Sequence, residues 1–211
     1  VKIIVLGASG GIGTWVVKLA HQKGLDITAV IRPNSIYKAP NGIQVIEGEV
    51  TEPAFVESII EDGLTIISCI GIRRAGLSPW AKIQSPPNLV ETVTSNILSA
   101  AQSKQNIRLI WISAAGVGKS RDNCTPIIKK MISLGNIGLS YQDLEKAEEL
   151  VHESRINAIT VRPVTLLPGF PTRSANSTNK YSLFSTIRRS DVADWILRNI
   201  DSIDSPPIFL Q

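Results

Sequence analysis

Gly7, Gly10 and Gly13 stand three residues apart in the stretch GASGGIG, between the apolar run VKIIVL and a segment of helical periodicity. Glycine loses more backbone freedom on folding than any other residue, so such a cluster needs a reason. One reason is a tight structural turn. The other is a turn that a phosphate-bearing ligand must approach. There the first glycine permits the sharp bend, the middle one admits a pyrophosphate to the backbone, and the third lets helix pack on strand. A helix that begins at such a turn aims unpaired N–H groups and partial positive charge at the phosphates. Strand, turn and helix coincide here at the start of a β–α–β pattern, so Gly7, Gly10, Gly11 and Gly13 predict a dinucleotide site.

The end of the next apolar run bears on which dinucleotide. An NAD site places a carboxylate there for the ribose 2′-hydroxyl. This chain reads AVIRPNS, with Arg32 and no acid. An arginine pairs with a 2′-phosphate and lies on an adenine face, so NADP(H) is the expected cofactor. A solvated surface arginine is the alternative.

These residues need elements to hold them, and β-like and helix-like segments alternate along the chain. KIIVLG, LDITAVIR, GIQVIEGEV, LTIISCIG, RLIWISAAG and INAITVRP read as strands, with PPIFLQ as a possible last one. Helices are expected over 11–24, 53–63, within 88–106, around 125–134 and 141–154, and over 190–200. In the first, Ile12, Val16, Leu19 and Ala20 form an apolar face. Pro53 suits the first turn of the second. Several strands are apolar throughout, as a parallel sheet covered on both faces requires. The pattern predicts a single α/β domain over 1–211, a doubly wound Rossmann-type parallel sheet with helices on both faces. Two irregular stretches, 72–87 and 166–182, follow strand ends, where open α/β sheets bind ligands, and are expected to form the substrate side.

Composition narrows the partners. The 211 residues carry 22 Lys+Arg against 18 Asp+Glu, and the pairs Arg73-Arg74, Lys129-Lys130 and Arg188-Arg189 are isolated. No nucleic-acid footprint is expected; an anionic small ligand suits the modest positive balance. Cys69 and Cys124 have neither disulfide nor metal spacing, and Cys69 reads as a buried small hydrophobe. No apolar run approaches the roughly 18 residues of a membrane span. The first strand leaves no room for a signal peptide, so a cytoplasmic protein is expected. His21 and His152 read as surface residues, KAEELVHE as a solvated helix face, and Trp15, Trp111 and Trp195 as packing residues. Trp80, in the first long loop, is expected to cover a nicotinamide or a flat substrate.

Taken in order, VLGASGGIG, VIRPNS, GEVTEP, SCIGI, WISAAGVG and AITVRPVTLLPG resemble the short-chain dehydrogenase/reductase superfamily, with RRSDVADWIL as a further echo. The resemblance is to its atypical branch, which includes NmrA-like proteins and biliverdin-IXβ/flavin reductases. It implies that Ser9, Gly10, Gly11 and Ile12 meet the phosphates through main-chain N–H groups and that Arg32 holds the 2′-phosphate. Glu49 and Val50 would lie by the adenine, where family members commonly have Asp-Val. Ile70 and Gly71 would flank the cofactor ribose, and Pro163 and Val164 would border the nicotinamide. Ser113 matches the active-site serine, whose hydroxyl would donate to a substrate carbonyl; a serine bonding local backbone is the alternative.

One family feature is missing. Catalytic members carry Tyr-x-x-x-Lys on one helix face. Tyr141 is followed at that spacing by Glu145, with Lys146 one position further, and counting back from VRP puts Leu144 where the lysine belongs. Tyr141 then reads as a helix-start aromatic. Hydride transfer survives this loss because the nicotinamide carries that chemistry, whereas reduction of a simple ketone needs a placed acid. The resemblance therefore implies an NADPH-dependent reductase of a conjugated acceptor such as a flavin, quinone or tetrapyrrole, a small-molecule substrate without nucleic acid or membrane. A second reading is an NmrA-like NADP(H) sensor or scaffold that meets a protein partner without turnover. A third is a non-redox step such as isomerisation.

Overall fold

The computed structural model describes residues 1–76, 78–201 and 208–211. Six parallel strands, β1 (Lys2–Leu6), β2 (Asp26–Ile31), β3 (Gln44–Glu47), β4 (Leu64–Ser68), β5 (Arg108–Ile112) and β6 (Asn157–Val161), lie in the order β3-β2-β1-β4-β5-β6. Leu6 pairs with both Val30 and Ser68, and Ser68 with Trp111, so the strand ends that carry the candidate residues are level. Ile3, Val5, Leu6, Ile66, Ile67, Leu109 and Ile110 are fully buried in the middle of this sheet. Their uninterrupted apolar runs reflect cover on both faces.

Among the described residues the cover is six α-helices, α1 (Gly13–Gln22), α2 (Pro53–Ile59), α3 (Leu89–Ala101), α4 (Pro126–Leu134), α5 (Ile137–Glu153) and α6 (Arg189–Arg198). α1 packs against α6; α3 packs between α2 and α5, and α4 lies along α5. Two buried polar contacts fix the second layer. The Trp111 indole N–H donates to Thr94 Oγ1 at 3.0 Å, tying β5 to α3. Asp143 of α5 accepts from the backbone N–H groups of Val90 (2.8 Å) and Glu91 (2.9 Å), so a carboxylate from a neighbouring helix caps α3.

Three expectations need correction. α5 begins at Ile137, not near 141, because Gly135 and Gly138 disguise a first turn that the structure forms without a side-chain cap. Tyr141 is therefore inside the helix and buried, not at its start. The stretch 166–182 is partly regular: β7 (Thr165–Leu167) pairs in parallel with β9 (Thr186–Arg188), and β8 (Ser177–Thr178) pairs antiparallel with β10 (Phe209–Leu210). Those partners are distant in sequence, so local pattern gives no sign of them. Of the last expected strand, Phe209–Leu210 forms β10, while Pro206 and Pro207 lie outside the described residues. Among the described residues no helix is long and apolar enough to cross a membrane.

Candidate functional site

Strand order reverses between β1 and β4, and open α/β sheets bind ligands in the crevice at such a reversal. The glycine turn leaves β1 at this point. Gly7 has φ +77°, a left-handed conformation that suits glycine. Ala8 N–H donates to Val30 O (3.0 Å) and Gly10 N–H to Gly7 O (2.9 Å), while Thr14 Oγ1 donates to Ala8 O (3.1 Å). A Cβ at Gly13 would lie 2.3 Å from Gly7 O, so helix and strand approach as only glycine allows. α1 has no side-chain cap and no acid in its first turn. Among the described residues the N–H groups of Ser9, Gly11 and Ile12 donate to no other residue. The turn thus fits a diphosphate: open donors, a positive helix end and no competing carboxylate.

The other predicted cofactor residues gather along the same edge. A Cβ on Gly7 would meet Ile70 Cδ1 at 2.9 Å and Cys69 O at 3.2 Å, so the end of β4 lies directly beside the turn, with exposed Gly71 following. Burial pushes the Cys69 thiol up to about 12, which marks it as a packing residue. Arg32 is exposed just past β2, and its carbonyl accepts Ser35 N–H at 3.2 Å. After β3, Glu49 is exposed and Val50 buried. Asn96 of α3 fixes that segment by donating to the carbonyls of Val50 (3.2 Å) and Thr51 (2.9 Å).

Ser113, 6% exposed, directly follows β5, and its N–H donates to Val161 O at 2.8 Å. Its hydroxyl donates to Glu148 Oε1 at 2.5 Å. Arg162 grips the same carboxylate with both ends of its fork, Nε to Oε1 at 2.9 Å and Nη2 to Oε2 at 2.7 Å. The side chains of Glu148 and Arg162 are 13% and 24% exposed. A hydroxyl has one proton, so with that proton on Glu148 the Ser113 oxygen turns lone pairs to any ligand. Pro163 and Val164 continue from Arg162; the Pro163 carbonyl accepts Ala115 N–H (3.0 Å), and Val164 N–H donates to Leu210 O (3.0 Å). KAEELVHE is therefore not wholly a solvated face. Glu148 lies four residues after Leu144 and three before Val151, on the stripe that those buried residues define. An acid on that stripe was the signal in the sequence.

Tyr141 and Lys146 take no part in this cluster. The Tyr141 hydroxyl donates to Ala115 O at 2.9 Å, and burial raises its pKa far above the usual tyrosine value, helped by neighbouring Tyr181 and Cys124. Lys146 pairs on the surface with Glu91 at 3.3 Å, and Leu144 is buried. The first long loop docks on the start of α5 through Asn136 Nδ2 to Trp80 O (2.8 Å) and Ile137 N–H to Pro79 O (2.9 Å). The Trp80 residue itself is 59% exposed.

The second loop returns to the glycine turn. Asp191, 2% exposed, accepts from Thr172 N–H (2.6 Å), Thr172 Oγ1 (2.9 Å) and Arg173 N–H (2.9 Å). Ser190 Oγ donates to Gly169 O (2.8 Å), and Arg188 Nη1 to Phe170 O (3.1 Å). Phe170 meets the edge of Trp15 on α1 with ring centroids 5.7 Å apart. Residues 169–173 thus form a strap tied to the start of α6 and laid against α1.

A family model described as NAD(P)H-binding matches residues 7–202. The chain belongs to that family. Its cofactor class is accordingly the nicotinamide dinucleotides, whose diphosphate the turn fits. Among solved structures, the chain is similar to ChuY, an anaerobillin reductase from Escherichia coli, at 23% identity and TM-score 0.73, covering 99% of this chain and 93% of that one. It is also similar to a short-chain dehydrogenase/reductase from Veillonella parvula in complex with NADP, at 18% identity and TM-score 0.73, covering 96% and 88%. A third is the oxidoreductase ylbE from Lactococcus lactis, at 14% identity and TM-score 0.72, covering 95% and 84%. At these identities the likeness speaks for the fold. No curated protein matches the chain in sequence.

Proposed function

We propose that the protein is an NADPH-dependent reductase of a small conjugated acceptor, of flavin, quinone or tetrapyrrole type. The observation that carries this reading is that no tyrosine–lysine pair meets Ser113 among the described residues: Tyr141 is bound to the Ala115 carbonyl and Lys146 to Glu91. A conjugated acceptor spreads the charge it receives and does not need that pair. The anaerobillin reductase activity of ChuY and the NADP bound to the Veillonella protein are consistent with the same class.

In this reading residues 1–211 act as one cofactor-binding unit. The open N–H groups of Ser9, Gly11 and Ile12 hold the diphosphate, Gly10 N–H being bound to Gly7 O, and Arg32 holds the 2′-phosphate. Glu49 and Val50 border the adenine, Ile70 and Gly71 the ribose, Pro163 and Val164 the nicotinamide. The bound nicotinamide supplies the hydride. Ser113, its proton committed to Glu148, orients the acceptor by taking a hydrogen bond from an N–H or O–H group, and the segments 72–87 and 166–182 form the walls. The missing pair also favours a second reading, an NADP(H)-binding sensor that meets a protein partner without turnover. Following nicotinamide absorbance with FMN, a quinone and biliverdin, for the wild type and Arg32→Ala, separates them. Oxidation that weakens sharply in the variant supports the reductase; tight NADPH binding with no oxidation by any acceptor supports the sensor.

A further inference from the structure

At the start of α6, four consecutive residues divide their attention. Arg188, Ser190 and Asp191 are all bound to the strap 169–173. Arg189 is not. Its stem crosses to the glycine turn, where a Cβ built on Gly11 would lie 2.6 Å from Arg189 Cδ, 2.8 Å from Nε and 3.7 Å from Cζ. The missing side chain of Gly11 is therefore the seat of the arginine. Arg189 is half-buried, and among the described residues it has no ion pair. Its neighbours on both sides are anchored, and α6 packs on α1, the helix that begins at this turn.

We propose that Arg189 is a diphosphate-binding residue of the cofactor site: its guanidinium closes over the glycine turn and pairs with the dinucleotide diphosphate. The inference rests on the reading that the turn 7–13 receives that diphosphate. The chemistry is that of a planar cation with several N–H donors, which suits two neighbouring phosphate oxygens. The turn supplies uncharged backbone donors and a partial helix charge, and neither neutralises a dianion. Arg189 supplies the formal charge from the opposite side, held in place by the anchored residues around it. Arg32 stands at the end of a different strand, β2, and serves the 2′-phosphate, so the two arginines read different parts of one ligand. Gly11 acquires a second purpose. It keeps the turn open for the ligand and leaves room for the stem that closes it.

The test is the equilibrium affinity of the full chain for NADPH, NADH and ADP-ribose, by calorimetric titration, for wild type, Arg189→Gln and Arg32→Gln. ADP-ribose carries the diphosphate without nicotinamide or 2′-phosphate. Arg189→Gln is expected to weaken all three ligands by a common factor of about 10–30, as loss of one charge-assisted contact implies. Arg32→Gln is expected to weaken NADPH alone. Gly11→Ala, whose Cβ displaces a flexible side chain and no backbone atom, is expected to weaken ADP-ribose similarly. The double variant Gly11→Ala/Arg189→Gln should then lose little more than either single one. Thermal melting of each variant confirms that it is folded. A change under twofold for ADP-ribose in a folded Arg189→Gln overturns the proposal, as does a loss confined to NADPH. Fully additive losses in the double variant overturn the seating of Arg189 on Gly11. A wild type that binds none of the three overturns the reading of the turn itself.

Discussion

Removing the Glu148 carboxylate tests the polar cluster at the end of β5 directly. Glu148 accepts from Ser113 Oγ at 2.5 Å and from Arg162 at 2.9 and 2.7 Å. Hydrogen bonds to charged groups contribute about 1.5–3 kcal/mol each. Deleting one member of a buried pair costs about 3–5 kcal/mol, because the other charge stays behind. The Arg162 side chain is 24% exposed, so water reaches part of the orphaned guanidinium and the lower end applies. Glu148→Ala is expected to lose about 3 kcal/mol in urea unfolding at an unchanged m value. For 211 residues this lowers Tm by about 6–12 °C. Glu148→Gln keeps one acceptor and should lose roughly half as much. In a double-mutant cycle with Arg162→Ala the coupling should reach about 2 kcal/mol. A loss under about 0.5 kcal/mol for Glu148→Ala, or strictly additive losses in the cycle, would refute the cluster.

Three further expectations follow from single contacts. Gly13→Ala places a Cβ against two backbone neighbours, Gly7 O at 2.3 Å and Ala8 Cα at 2.9 Å, and should destabilise by about 1–3 kcal/mol, while Gly76→Ala, with open space around it, stays within about 0.5 kcal/mol; equal melting points for the two would count against the packed turn. Tyr141→Phe leaves the buried Ala115 carbonyl without its donor and should cost about 1–2 kcal/mol, yet NADPH oxidation per folded molecule should persist; abolished turnover would make Tyr141 the proton donor after all. Burial lifts the Cys69 thiol from 9.0 to about 12. The native state therefore holds a proton that the unfolded chain has lost between those values, and stability falls as pH rises across that window. At pH 8 iodoacetamide should label Cys69 about a thousandfold more slowly in the native protein than in urea, and equal rates would sink this account.

The sheet and the glycine turn are legible in the sequence because their signals are local. KIIVLG, LTIISCIG and RLIWIS are apolar on both faces, and glycines at 7, 10 and 13 mark the turn where β1 meets α1. The registers of β7 with β9 and β8 with β10 are not legible, since each joins short segments whose partners are far along the chain. The start of α5 was masked by Gly135, which ends α4, and by Gly138 within α5, whose low helix propensity is overridden by docking of the first turn against Pro79 and Trp80. Glu148 is set apart from the other acids of KAEELVHE only by lying on the stripe of Leu144 and Val151. Its partner Arg162 directly follows β6, and no periodicity within a helix discloses which charge on another element it meets. Arg189 was hidden in the same way: a dibasic pair says nothing of which member turns to Gly11.

Asp143 has a consequence for the order in which the chain assembles. The first turn of α3 gives its N–H groups of Val90 and Glu91 to a carboxylate more than fifty residues later. A nascent chain that ends before Asp143 already carries β1 to β4 and all of α3, but that helix starts with open donors. Closure waits for α5, and the loop between them includes β5, which must first find β4. Amide exchange at Val90 and Glu91 therefore reports the arrival of α5 on α3.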